Sequence, residues 1–504
     1  MSVWETPNVG ANLADLVRAA AGQRPDHAAV LDGERTLTWA QVDAQVDTVG
    51  AGLQGLGLAP GDRVAIVLGN CAEFVTTYFG ALRVGLVAVP VNTGSTEPEI
   101  AHLLADSGAR AVVFDRTAAT AVRARPAADG PVRVVVGAPA PGETAYGSFT
   151  GQPRPHDTGA EDLAVLLYTS GTSGRSRAAM LTHRAMLASV EQVHGLAVPA
   201  VVPDDVVLLV LPMFHIYALN GTLAQVARVA ATVVLVDRFD PAETLRVVRE
   251  RGITNIPGAP PMYVAWSGQP DLRQAFRGVR LLVTGAAPVP AAVLDQIATT
   301  TGMPVYEGYG LTEAAPGVSS TLVRGQAKPG SVGTPLPGVE VRLVDEDGEG
   351  VEEGDPGEIW VRGPNLFSGY WPDGSDGPDA DGWFATGDVA YLDDDGDLVL
   401  VDRRKELIIV SGFNVYPREV EDAIASHPDV AEVAVMGVSH PYSGEAVKAY
   451  IVLRPGAELT AEELHEHVAT RLARFKWPTI VQFVERLPHS PVGKVSKHRL
   501  REVP

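Results

Sequence analysis

Cysteine is nearly absent from this sequence: Cys71 is the only one in 504 residues. No internal disulfide can form, and no cysteine cluster can hold zinc. Aromatic residues are scarce at 6%, so Ala, Val, Leu and Gly carry most of the apolar content. Long apolar runs are missing too; each is broken by charge or turn residues short of the roughly 18–20 needed to cross a bilayer. The opening stretch, MSVWETPNVGANLADLVRAAAGQRPD, has no basic segment followed by an apolar one, so no signal peptide is expected. A cytoplasmic protein without a transmembrane segment is therefore predicted, with peripheral membrane contact left open. Basic residues are outnumbered 40 to 61, giving a formal charge of -21, and no local basic stripe interrupts that field. Nucleic acid is thus not an expected partner. An anionic ligand would need cations or a metal supplied locally. Lysine is especially rare: Lys328, Lys405, Lys448, Lys476, Lys494 and Lys497 are all there are, most of them in the last quarter.

What is present reads as a layered α/β protein. The chain is 46% hydrophobic and long enough for two or three compact units. Strand-like runs such as Val64–Leu68, Leu86–Pro90, Ala111–Phe114, Leu163–Tyr168 and Val279–Val283 are almost continuously apolar. They alternate with helical patterns such as Trp39–Leu56, Ala72–Leu82, Pro241–Arg251 and Pro290–Thr299. Such strands, separated by helices, predict sheets covered by helices. From about residue 330 short β runs with Gly and Asp turns (Val339–Val344, Gly357–Arg362, Asp397–Val401) predict a twisted β subdomain. After Asp402–Lys405 an αβ pattern predicts a small α+β unit. The expected division is 1–402 and 403–504, with a hinge near 402–405.

The first segment with chemical content follows the strand Leu163–Tyr168: Thr169-Ser170-Gly171-Thr172-Ser173-Gly174-Arg175-Ser176-Arg177. Glycines let the backbone turn tightly, while hydroxyls and N–H groups can surround phosphate oxygens. Arg177 adds a permanent cation with a donor fork. Leu181-Thr182-His183-Arg184 is expected to open a helix whose positive end adds to that field. This is not the GxxxxGK[ST] loop, since no lysine follows the second glycine. It resembles the phosphate loop of the acyl-adenylating superfamily: acyl-CoA synthetases, beetle luciferases and nonribosomal adenylation domains. The family form is near YTSGTTGxPKG; here Ser173, Ser176, Arg177 and Ala178 replace threonine, proline, lysine and glycine. Medium- or long-chain fatty acyl-CoA synthetases resemble it most.

Further segments fit the same resemblance, which runs from about residue 30 to 503. Tyr306-Glu307-Gly308-Tyr309-Gly310-Leu311-Thr312-Glu313 offers an aromatic to stack on a base, glycines for close approach, and a hydroxyl–carboxylate pair. Glu313 suits Mg²⁺, which prefers oxygen ligands. The segment is similar to the family's YGxTE motif, which implies those roles for Tyr309, Thr312 and Glu313. Gly285-Ala286-Ala287-Pro288 resembles the turn lining the adenine and acyl pockets. Gly382-Trp383-Phe384-Ala385-Thr386-Gly387-Asp388 resembles GWxxTGD, which implies that Asp388 accepts from both ribose hydroxyls and that Arg403 adds a cation. Asp402-Arg403-Arg404-Lys405 is similar to the family's hinge, with Lys405 as pivot, and Ser411-Gly412-Phe413 to the border of the pantetheine tunnel. Lys494, in Pro491-Val492-Gly493-Lys494, resembles the lysine that serves adenylation as a flexible point charge.

An apolar acid pocket is expected from Phe214, Tyr217, Gly258, Met262, Gly310 and Val318. The segment Pro212-Met213-Phe214-His215 resembles one in which the histidine borders the substrate carboxylate, implying a positioning role for His215. No Asp lies at 213–220 to pair with a substrate amine, which disfavours amino acids. The resemblance implies an ATP- and Mg²⁺-dependent ligase that joins a small-molecule carboxylic acid, most readily a fatty one, to coenzyme A through an acyl-adenylate. A ligase loading a carrier protein, a luciferase-like oxygenase, and a nucleotide-binding protein with degraded catalysis are the alternatives.

Overall fold

The computed structural model describes residues 11–123, 130–154, 156–169, 177–287, 289–345, 347–352, 354–403, 408–410, 413–415, 417–440, 444–472, 474–489 and 495–500. By internal contacts the chain divides into two compact units. The first comprises Met1–Pro329, Gly333–Glu340 and Arg362–Trp383; the second comprises Gly330–Val332, Val341–Val361 and Phe384–Pro504. No helix among the described residues is long and apolar enough to cross a membrane.

In the first unit, Val64-Ala65-Ile66-Val67 is buried throughout because Arg63–Val67 lies between two parallel neighbours, Val87–Pro90 and Ala111–Phe114. These strands belong to a seven-stranded sheet in the order Thr144–Ala145, Val132–Val135, Ala111–Phe114, Arg63–Val67, Val87–Pro90, Leu163–Thr169, Arg177–Thr182. Phe114, Leu166 and Ala178 join Ala65 and Val89 in one apolar cluster. The helix Trp39–Gly55 starts from a Thr38–Gln41 capping box and buries Val42, Val46, Val49 and Leu53. It crosses the helix Ala72–Arg83 at glycines: a Cβ on Gly80 would sit 3.0 Å from the Val46 carbonyl oxygen.

The nine-stranded sheet of this unit runs Thr334–Pro335, Gly317–Ser320, Val305–Gly310, Leu281–Thr284, Asn255–Gly258, Val206–Leu209, Thr232–Leu235, Ala28–Asp32, Arg35–Thr38. Its central strands are parallel, and Gly258, Thr284 and Glu307 lie in register across three of them. Carboxyl ends of parallel strands are where open α/β sheets receive ligands. Below them Asp205, 1% exposed, accepts from Arg280, Thr254 and Asn255 at 2.5–3.1 Å and from the Val202 N–H at 2.8 Å.

The second unit contains a four-stranded sheet, Glu340–Val344, Gly357–Arg362, Phe384–Leu392, Leu398–Arg403. Its five-stranded sheet is built on the long hairpin Val430–His440 and Gly444–Leu453, with helices Pro417–Ala425 and Ala461–Ala469. Ile408, Val420, Ile424, Val435, Ile451 and Leu464 form its core. The α/β and α+β character expected from the sequence is thus observed.

The helix expected to open within Leu181–Arg184 is present, but the field it was expected to add at the loop is not. Arg177–Thr182 is a strand antiparallel to Leu163–Thr169, and the helix starts at His183, capped by Thr182 Oγ1 accepting from the Ala185 N–H at 3.2 Å. The helix end is therefore roughly 20 Å along the strand from Arg177. A helix field fades within its first turn, so it adds nothing at the loop. The reason is packing: Ala178 and Ala179 are 1% and 0% exposed, small residues in a strand flanked on its far side by residues 368–371. The helix expected over Thr460–Arg474 also stops early, at Ala469.

Candidate active site

Thr169 and Arg177 are cross-strand partners, so they form the stem from which the glycine-rich loop leaves. Ser170, Gly171, Thr172, Ser173 and Gly174 lie outside the described residues. On the free side of Arg177–Thr182, the Met180 N–H donates to Gly369 O, Ser368 N–H to Met180 O and Trp371 N–H to Ala178 O, at 2.9–3.0 Å. This backbone pairing delivers Tyr370 to the loop exit. The Arg177 guanidinium lies over the Tyr370 ring, 3.8 Å from its centroid, and pairs with Asp376 at 2.8 Å. The Tyr370 hydroxyl donates to Glu313 Oε1 at 2.6 Å. Burial, and then the nearby Glu313 charge, raise the Tyr370 pKa well above the usual phenol value, so the group remains a donor. The sequence had marked Arg177 and Glu313 separately; their common partner Tyr370 was missed. Its only local signal was an aromatic set between glycine and tryptophan in Gly369-Tyr370-Trp371.

Glu313 is 9% exposed, in a 3₁₀ turn Thr312–Ala314 just beyond the strand Val305–Gly310. Gly310 is required at that exit, since a Cβ there would lie 2.2 Å from Pro316 O. Two buried amides hold the turn. Asn220 Nδ2 donates to Ala315 O at 2.6 Å, and Asn365 Nδ2 to Ala314 O and Gly317 O at 2.7 and 2.8 Å. The Phe367 N–H donates to Glu313 O at 2.9 Å. Neither amide had been singled out from the sequence, because a lone Asn, whether in the helical stretch Leu219–Ala224 or in a loop, carries no local sign of a distant partner. On the same strand Glu307 and Tyr309 are 5% and 8% exposed, Gly308 is half-buried and Val318 on the neighbouring strand is fully buried. The turn Gly285–Ala287 is half-buried, with Ala286 at φ 72°, and a Cβ on Gly285 would lie 3.7 Å from Gly308 O.

His215 precedes the helical turn Ile216–Ala218 and its Nδ1 accepts from the Tyr217 N–H at 3.3 Å. Phe214 beside it is half-buried. The Tyr217 ring lies against Gly285, 3.4 Å from where a Cβ would be, and its hydroxyl is buried without a hydrogen-bond partner among the described residues. Burial raises its pKa. Gly258 faces Tyr263 so closely that a Cβ would be 2.8 Å from the ring, and the Tyr263 hydroxyl reaches Val283 O at 3.0 Å and Ile256 O at 3.2 Å. Gly258 thus leaves room for the buried Tyr263 ring beside it. Met262, 4% exposed, sits on the helix Pro260–Ser267.

In the second unit Asp388 and Arg403 are direct cross-strand partners. Gly387 takes φ 75° and donates to Glu358 Oε1 at 3.1 Å, while the Asp388 N–H donates to Thr386 Oγ1 at 3.1 Å. The Phe413 backbone pairs with Val410. Lys405, Ser411, Gly412 and Lys494 lie outside the described residues.

The family model for the AMP-binding enzyme matches residues 17–371, and that for the AMP-binding enzyme C-terminal domain matches 419–494. A long-chain-fatty-acid–CoA ligase of Yersinia pestis is 37% identical, over 98% of this chain and 95% of that protein. A feruloyl-CoA synthase of an Amycolatopsis species is 38% identical, over 95% and 96% respectively. The crystal structure of ATP-bound MatB from Rhodopseudomonas palustris superposes with a TM-score of 0.91 at 32% identity, covering 98% of this chain and 99% of that one. The match of both models, with similarity along almost the whole length, establishes that this chain belongs to the AMP-binding enzymes, the adenylate-forming acyl-CoA synthetase superfamily.

Proposed function

We propose that this enzyme is an ATP-dependent carboxylic acid:CoA ligase acting on an apolar acid. The observation that carries the reading is the meeting of a loop-exit cation, Arg177, and a buried carboxylate, Glu313, on the single ring of Tyr370. A nucleotide triphosphate with a divalent ion calls for that pairing of opposite charges. A carboxylate is a poor electrophile. Attack of its oxygen on the α-phosphorus, with departure of pyrophosphate, converts it to a mixed anhydride whose AMP leaves readily.

In this reading Arg177 and the 169–174 loop neutralise phosphate oxygens, and Thr312 adds a hydroxyl. Among the described residues no group of three or more His, Cys, Asp or Glu side chains could hold a metal alone. Glu313, a single buried carboxylate, fits Mg²⁺, which keeps waters and phosphate oxygens in its shell and is bound by one or two carboxylates. When bound, Mg²⁺ would draw charge from the phosphate oxygens. Asp388 and Arg403 serve the ribose; Glu307, Gly308, Tyr309 and the Gly285–Ala287 turn serve the base. Lys494 supplies the charge for adenylation, and His215 orients the substrate carboxylate. In the second step the coenzyme A thiol attacks the acyl carbon and expels AMP, with Ser411, Gly412 and Phe413 bordering its route and Lys405 as the pivot between steps.

The apolar preference is supported by the uncharged set Phe214, Tyr217, Gly258, Met262, Gly310 and Val318. Incubation with ATP, Mg²⁺, coenzyme A and a panel of fatty, aryl and dicarboxylic acids tests the proposal. Acyl-CoA, AMP and pyrophosphate are expected with apolar acids. No AMP across the panel would sink it, and transfer only to a phosphopantetheinyl carrier protein would reassign the acceptor.

A further inference from the structure

We propose that Tyr370 is a positioning residue for the nucleotide–metal site: its hydroxyl orients the Glu313 carboxylate while its ring holds the Arg177 guanidinium. The inference rests on the roles proposed above for Arg177 and Glu313, and it adds a residue that couples them. Left alone, a glutamate rotates about its terminal torsion and an arginine samples many rotamers. Here the phenol takes Oε1 of Glu313 at 2.6 Å. With Oε1 held by the phenol, the plane of the carboxylate is set, and so is the direction in which its second oxygen can meet a cation. The ring, 3.8 Å from the Arg177 guanidinium carbon, restricts the cation at the loop exit.

The placement of Tyr370 itself is secured by the backbone. Its N–H donates to Ser375 O at 3.0 Å and its carbonyl accepts from the Gly374 N–H at 2.8 Å. Its neighbours pair with the strand Arg177–Thr182, and Phe367 stacks edge-on against it at 5.0 Å. The same segment supplies Asn365 and the Phe367 N–H to the Glu313 turn. Residues 365–371 thus form a strap that joins the phosphate-loop strand to the carboxylate turn, and Tyr370 is where side chains of both meet.

Calorimetric titration with α,β-methylene ATP, with Mg²⁺ and separately with EDTA, tests the coupling. Tyr370→Phe keeps the ring and removes the donor. It should weaken binding of the Mg²⁺ complex by about tenfold, the scale of a hydrogen bond to a charged group, and leave binding in EDTA unchanged, with a lowered melting temperature from the lost bond to the buried Glu313. Tyr370→Leu removes the stacking surface as well and should also weaken binding in EDTA, by about threefold. A Phe variant with wild-type Mg²⁺ dependence would overturn the inference, as would equal losses with and without Mg²⁺. If the Leu variant does not fold, the Phe comparison alone decides. Failure of the wild-type protein to bind the Mg²⁺ complex would instead reject the functional proposal on which this one stands.

Discussion

Replacing Arg177 by lysine isolates what the guanidinium contributes beyond its charge. Arg177 is 36% exposed and its partner Asp376 is 72% exposed, so their ion pair is screened by solvent and contributes little. Stacking on Tyr370 is the larger loss, about 0.5–1 kcal/mol for a partly exposed cation over an aromatic ring. Lysine retains the charge and can still meet a phosphate oxygen as a point donor. With about 1.4 kcal/mol per factor of ten, the loss amounts to roughly a two- to fivefold weaker interaction with ATP. Because the phosphates carry their charge in both ground and transition states, the effect should fall on KM for ATP and leave kcat nearly unchanged. The assay is steady-state pyrophosphate release at varied ATP and saturating acid and coenzyme A. Arg177→Ala, which removes the charge, should lose considerably more. A Lys variant whose kcat falls about a hundredfold or more would refute the reasoning and show that the two-pronged guanidinium is itself needed in the transition state.

Lys494→Ala should severely slow adenylate formation while sparing thioester formation from supplied acyl-adenylate; equal losses in the two half-reactions would contradict that division of roles. Asp205→Ala removes the acceptor for Arg280, Thr254, Asn255 and the Val202 N–H, and should lower stability by about 2–4 kcal/mol. An unchanged urea midpoint would count against it. His183 is 1% exposed, its Nδ1 accepts from the Leu13 N–H at 3.0 Å, and burial pushes its pKa down to about 4. The unfolded chain, near 6.5, takes up the proton first. The contribution is therefore complete above about pH 6.5 and is lost as pH falls toward 4, by about 2 kcal/mol at pH 5. His183→Asn, which cannot titrate, should flatten the dependence of the urea midpoint on pH between 7 and 5; an identical slope would refute the assignment.

Several elements were legible because their signals are local. Ala111–Phe114 occupies the expected residues, and the helix Trp39–Gly55 follows the expected periodicity. The region 177–182 was not, since Arg-Ala-Ala-Met-Leu-Thr has little intrinsic strand preference. What makes it a strand is the slot between Leu163–Thr169 and residues 368–371, and small side chains fit that slot. The close approach of Tyr263 to Gly258 was likewise not legible, because it joins the end of a strand to a helix through packing alone.

The residue types capable of the chemistry were fixed by the chain itself: hydroxyls and glycines at 169–174, a cation at Arg177, carboxylates at Glu313 and Asp388, and apolar strands that must be buried. Those properties belong to individual side chains and short spacings, so they survive without coordinates. Only the tertiary structure decided that Arg177 and Glu313 share Tyr370, and that Asn220 and Asn365 hold the turn between them. These contacts join segments far apart in the chain. Their partners are selected by backbone pairing and packing, which no local pattern encodes.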